Sequence, residues 1–103
     1  MLEVTKSATK EVKAILAKPE NKDLFVRVYI DGVGWGGPRL GIALDSKQND
    51  DVVINKDEID YVIDEKSEKL LGRYGGAKLD YTEQKYYGSG FSLRMKESFG
   101  GSC

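Results

Sequence analysis

The spacing of apolar and polar positions changes several times along this chain, and each change marks an element. Between Ser7 and Lys18, Ala8, Val12, Ile15 and Leu16 form one stripe while Lys6, Lys10, Glu11 and Lys13 lie on the other side, the spacing of an amphipathic helix. Thr5 or Ser7 can cap its start, and Pro19 ends it, because a residue before proline avoids helical backbone. From Leu24 to Asp31 the period is two: Leu24, Val26, Val28 and Ile30 share one face, Phe25, Arg27 and Tyr29 the other. Leu40, Ile42 and Leu44 alternate with Gly41, Ala43 and Asp45, which predicts a second strand. Short strands at Val52–Ile54 and through Ile59, Tyr61 and Ile63 flank Asn55–Glu58, read as a four-residue hairpin turn. Asp64 can cap a short helix, Glu65–Leu71, stopped by Gly72. Lys78–Thr82 and Phe91–Met95 are the last strands, with Leu79, Tyr81, Phe91, Leu93 and Met95 directed inward. The pattern is α+β: one good helix, one short one, and six or seven short strands.

Length bounds this picture. A chain of 103 residues makes one domain with one modest core; we assign residues 1–98 to it and 99–103 to a flexible tail. With 16 basic against 17 acidic residues, interleaved along the chain, no field directs it to nucleic acid. No apolar run approaches the roughly 20 residues of a membrane span. A single cysteine makes no internal disulfide, so a reducing cytoplasm is the simplest home. The absence of histidine removes the commonest base near neutral pH and the commonest nitrogen ligand for metals.

Two segments stand out against this ordinary background. The run from Gly32 to Gly41 sets Trp35 among glycines between two strands, so its backbone is shaped for a close approach. Gly32, Gly34 and Gly37 satisfy G-x-G-x-x-G, but the period-two segment that follows does not supply the helix a dinucleotide site requires. The tail, Phe99-Gly100-Gly101-Ser102-Cys103, carries the only thiol on a freely jointed end. One cysteine cannot complete an iron–sulfur cluster or a tetrahedral zinc site, which take about four ligands, so subunits must share or an external thiol must help. Trp35 reads either as an aromatic plug or as the occupant of a reactive position, and Cys103 either as a solvated thiol or as a ligand. The remaining carboxylates offer less: Asp60 and Asp64 are expected on an outer face, and Asn49-Asp50-Asp51 in a surface turn.

At this point the residues resemble a known family. Val4-Thr5 before an amphipathic helix, Leu24-Phe25-Val26-Arg27-Val28, the glycine loop, Leu44-Asp45, Val62-Ile63-Asp64-Glu65-Lys66-Ser67, Leu79-Asp80-Tyr81 and Gly88-Ser89-Gly90-Phe91 follow the order of the HesB/IscA family. The resemblance implies curved mixed sheets forming a small sandwich or barrel with an N-terminal helix. It further implies an A-type iron–sulfur carrier or scaffold that is not an enzyme, works as a homodimer or homo-oligomer, and meets assembly machinery and apo-protein clients. Such proteins hold iron or a cluster through three cysteines, one in the glycine loop and two in a C-terminal C-x-C. Carried over, the loop position falls on Trp35 and the tail pair near Phe99 and Cys103, of which only Cys103 is a thiol. The continuation Gly36-Gly37-Pro38-Arg39-Leu40-Gly41 resembles a branch in which some members carry selenocysteine at the loop position. Trp35 is then the residue written for a UGA codon. The other readings are an interaction module of the same fold that has lost its metal, and a thiol or selenol redox protein.

Overall fold

The computed structural model describes residues 2–34, 37–82 and 90–96. Its elements run β1 (Leu2–Val4), α1 (Lys6–Leu16), a 3-10 turn (Pro19–Asn21), β2 (Phe25–Gly34), β3 (Gly37–Asp45), β4 (Asp51–Lys56), β5 (Ile59–Asp64), α2 (Glu65–Gly72), β6 (Ala77–Tyr81) and β7 (Phe91–Met95). The strands make a three-stranded sheet, β1-β6-β7, and a four-stranded sheet, β3-β2-β5-β4. Of the pairings, β1–β6 and β2–β5 are parallel and the others antiparallel. The expected α+β class with mixed sheets holds, in the sandwich form rather than as a closed barrel.

The predicted periodicities explain the core. Val26 and Val28 of β2, Ile59, Tyr61 and Ile63 of β5, Leu79 of β6 and Ala8 and Val12 of α1 are buried in one cluster joining both sheets and the helix. Val62 is also fully buried although it points to the other side of β5; Arg27 and Val53 are its neighbours in the register. Burial and nearby Asp57 push the Tyr61 phenol up to about 12, and its hydroxyl has no hydrogen-bond partner among the described residues.

Several boundaries differ from the sequence reading. Thr5 caps α1, its hydroxyl accepting from the Ala8 N–H at 3.2 Å. The helix closes at Leu16 rather than Lys18, because Lys18 is already extended ahead of Pro19. The β4–β5 turn is two residues, Asp57 and Glu58, both with positive φ, the backbone that matches strand twist in a tight hairpin. Gly72 continues α2, and the chain turns at Gly75 and Gly76, where the Gly76 N–H donates to the Leu71 carbonyl. Strand β1 escaped the pattern altogether; three residues carry too little period to be seen, and its partner lies at Ala77–Leu79.

The largest correction concerns Asp51, which is no surface-turn residue. Its carboxylate has no solvent-exposed area and takes a forked interaction from Arg27, with Nη1 donating to Oδ1 at 2.8 Å and Nη2 to Oδ2. Arg27 Nε donates to Asp45 at 2.7 Å and Nη2 also reaches the Ser46 carbonyl at 3.1 Å. One guanidinium therefore ties β2 to the end of β3 and the start of β4, a planar fork for which lysine has no equivalent. Arg27 holds the Asp51 carboxyl down from its ordinary 3.8 to about 2, against a smaller opposing effect of burial. Because the folded value is the lower one, ionised Asp51 contributes its full stability above about pH 4 and loses it as pH falls toward 2. Asp51→Ala is expected to cost about 1–3 kcal/mol at neutral pH and to flatten the acid limb of stability. Urea titrations of both proteins between those pH values check it.

Candidate functional site

Trp35, Phe99 and Cys103 all lie outside the described residues. What can be built is the framework leading to them. Most of the glycine segment is strand rather than loop: β2 and β3 pair from Phe25↔Asp45 out to Gly34↔Gly37, leaving Trp35 and Gly36 as the connection. The expectation of a glycine loop from Gly32 to Gly41 is thus corrected: Gly32, Gly34, Gly37 and Gly41 all lie in strands, because glycine without a Cβ fits a twisted ladder as readily as a turn.

The ladder is irregular at one place. Register slips between Ile30↔Leu40 and Val33↔Pro38, so Asp31 and Gly32 together oppose Arg39, which is a β-bulge. Gly32 has φ +86°, and a Cβ there would sit 3.1 Å from Arg39 Nη2. Arg39 Nε donates to the Asp31 carbonyl at 3.2 Å. The guanidinium therefore lies across the bulge and fixes it from the opposite strand. A bulge bends its strand and raises the local twist, so β2 changes direction at Asp31-Gly32. Further in, the Tyr29 ring lies on Gly41, whose added Cβ would fall 2.6 Å from the Tyr29 hydroxyl oxygen.

The second framework leads to the tail. Strand β7 pairs with β6 from Tyr81↔Phe91 to Ala77↔Met95, with the Tyr81 and Phe91 rings edge to face at 4.9 Å between centroids. Beyond Met95, Lys96 donates its N–H to the Gly76 carbonyl and pairs with Glu3 at 2.8 Å, which holds the Glu3 carboxyl below its ordinary value. On the other strand of that ladder, Asp80 accepts from the Thr5 hydroxyl at 2.8 Å; this bond and the Tyr81 N–H keep its carboxyl low. Strands β3 and β7 are neighbours across the two sheets. An apolar cleft of about 250 Å3 lies where they meet α1, lined by Val12, Ile15, Ile42, Leu44 and Phe91 among others. So the strand leaving the glycine tip and the strand entering the tail run beside one another.

Among the described residues no group of three or more Cys, Asp or Glu could hold a metal ion. Asp60 is exposed as expected, bonded to Asn55 at 2.8 Å. Asp64 is the N-cap of α2, bonded to the Ser67 hydroxyl at 2.6 Å, and that bond holds its carboxyl below its ordinary value. Sequence reasoning missed Arg39 as the clamp on the bulge; a lone cation beside Gly37-Pro38 after an Asp-Gly pair was the available signal.

Comparison with known proteins gives the fold a class. A solved structure of IscA with the 2Fe–2S cluster superimposes with a TM-score of 0.71 at 19% identity, over 93% of this chain and 86% of that one. Escherichia coli SufA does so with a TM-score of 0.74 at 16% identity, over 99% and 86%. At that identity the likeness establishes the fold. Sequence relatives go further: the iron–sulfur cluster insertion protein ErpA of Pseudoalteromonas atlantica is 39% identical over 83 residues, 80% of this chain and 70% of the relative. That of Mannheimia succiniciproducens is 42% identical over 83 residues, covering 80% and 71%. No family model matches the chain. The chain belongs to the HesB/IscA family.

The bulge gives a test of this framework. Gly32→Ala places a Cβ at positive φ and is expected to cost about 1–2 kcal/mol. Gly72→Ala, where a Cβ meets nothing, is expected to be neutral or stabilising by up to about 1 kcal/mol. Thermal and urea unfolding of the two variants side by side checks the contrast.

Proposed function

We propose that this protein is an iron–sulfur cluster carrier of the HesB/IscA type, receiving iron or a cluster and passing it on without catalysing a reaction. The observation that carries the reading is the adjacency of β3 and β7, the strands bordering the two segments to which the family's ligands map. Relatives at about 40% identity that are iron–sulfur cluster insertion proteins support it. The cluster is cargo. Its partners are assembly machinery that supplies it and apo-proteins that accept it, in the cytoplasm; no helix among the described residues is long and apolar enough to cross a membrane.

The donor set sets the terms of binding. Each chain brings one thiol, Cys103, and an indole at position 35 offers only an N–H donor and cannot ligate iron. A cluster with about four ligands therefore requires either that copies of this chain share it or that an external thiol helps. With a thiol or selenol at position 35, each chain would contribute a second soft ligand.

Anaerobic reconstitution with iron and sulfide tests this. Trp35→Cys is expected to gain visible-region cluster absorbance well above the parent, and Cys103→Ser in that background to lose it. A Trp35→Cys protein that binds no iron overturns the carrier reading in favour of an interaction module. The codon for residue 35 is an independent check: UGA with a selenocysteine insertion element is expected if tryptophan stands in for selenocysteine, and a plain UGG rejects that substitution.

A further inference from the structure

The outward face of the three-stranded sheet carries its charges in an unbalanced order. Side chains alternate across a strand. With Leu79, Leu93 and Met95 turned to the core, Glu3, Lys78, Asp80, Ser92, Arg94 and Lys96 stand on the other side. Register sets Lys78 directly opposite Arg94, and Asp80 opposite Ser92. Like charges directly opposed in an antiparallel pair are destabilising, so folding alone gives no reason for two cations there.

The carboxylates of the same face do not relieve the pair. Glu3 is the register neighbour of Lys78 on β1, but its carboxylate is taken by Lys96 at 2.8 Å. Asp80 accepts from the Thr5 hydroxyl and from the Tyr81 N–H, both at 2.8 Å. The field of Lys78 reaches both acids. Even so, among the described residues neither Lys78 nor Arg94 forms an ion pair, and both are exposed. Arg27 in the other sheet meets two carboxylates; Arg94 offers the same planar fork to none.

Lys78 and Arg94 border a depression of about 420 Å3 that Asp80, Thr82 and Ser92 also line. Lys78 reaches as well into a neighbouring depression of about 430 Å3, beside Lys56, Glu3 and Asp57. A guanidinium takes a carboxylate through two parallel N–H bonds, and an ammonium takes another as a point charge. Alternate residues of an extended chain put two carboxylates about 7 Å apart on one side, within reach of both long side chains. Glu3 and Asp80 interrupt the positive charge. Such interspersed acids repel a nucleic-acid backbone or an anionic membrane, whose negative charge is unbroken, and suit a segment whose own charges are spaced.

We propose that this face docks an acidic, extended segment of a partner protein, Lys78 and Arg94 each taking one of two carboxylates spaced two residues apart. The inference deepens the carrier reading, on which it rests for the partner's role as a protein that gives or accepts the cluster. Arg94 is next to the last residue of β7, so a partner held here stands beside the strand end from which the chain continues to Cys103.

Peptides of alternating glutamate and threonine, with glutamine–threonine and lysine–threonine counterparts, test it on the full chain. Fluorescence anisotropy at low salt reads affinity, and amide chemical shifts locate the site. The acidic peptide is expected to bind saturably and to shift Lys78, Ser92 and Arg94, while its counterparts do not bind. Lys78→Gln and Arg94→Gln are each expected to weaken binding about threefold, and together about tenfold. Lys10→Gln combined with Lys66→Gln, an equal loss of charge at exposed positions of α1 and α2, is expected to leave it unchanged. Removing either cation of the opposed pair is expected to leave the thermal midpoint unchanged or raised.

An acidic peptide that does not bind, or an equal loss in the Lys10 and Lys66 control, overturns the site. A lowered midpoint in the single variants makes the pair structural and rejects it too. Tighter capture of single-stranded DNA or phosphatidylserine vesicles by the same two residues rejects an acidic protein as the occupant. None of these readouts involves iron, so failure here leaves the carrier reading standing. Failure of reconstitution, conversely, leaves the docking site and removes only its role in transfer.

Discussion

The guanidinium of Arg27 is the interaction on which the four-stranded sheet depends. It sits on the face of β2 away from the core, yet its side chain is only 14% exposed and grips carboxylates from β3 and β4. Those strands lie on opposite sides of the sheet, with β2 and β5 between them, and the fork closes the polar turn that joins them. A buried charge with one partner removed is far more costly than the pair is worth, so the arrangement is all-or-none. Val62, fully buried beside it in the register, shows that the outer face has a small apolar patch of its own under this polar lid.

Upon that sheet the longest hairpin is raised and aimed. β2 and β3 extend beyond the core, and the bulge at Asp31-Gly32, spanned by Arg39, bends the hairpin before Gly34 and Gly37 meet. The two segments to which the proposed ligand positions map thus adjoin strands that are neighbours. Such a placement suits a carrier, which must hold its cargo firmly enough to keep it and loosely enough to give it up.

Periodicity made most of the architecture legible. α1 and α2 were visible in their stripes and caps, and five strands in their alternation, because each covers enough residues for a period to repeat; β4 showed only as the short apolar run Val52–Ile54. What stayed hidden is non-local. The parallel alignment of β2 with β5, at Val26↔Tyr61 and Arg27↔Val62, leaves no mark on either strand. Asp51 looked like its neighbours Asn49 and Asp50; only the arginine in the middle of β2, a cation in a strand without a local partner, hinted that a carboxylate must be found for it. The glycine segment was recognised as special but misjudged as open loop, since glycine serves a bulge, a close aromatic approach at Gly41 and a turn equally well. Trp35 and Cys103 stood out by composition, as the aromatic among glycines and the only thiol, whereas Phe99 could be singled out only by resemblance.

The pairing of β1 with β6 has a consequence for how the molecule is made. Leu2 finds its ladder partner at Ala77, and Thr5 its hydroxyl acceptor at Asp80, 75 residues on, so the earlier segment waits for one made much later. Closing so long a loop is slow relative to local hairpin formation. On the ribosome the β2–β5 half can assemble while the N-terminal strand and the face of α1 still lack a partner sheet. A nascent chain stalled before β6 would therefore hold an intact half-sandwich with its apolar interior open, the state most in need of a chaperone's cover.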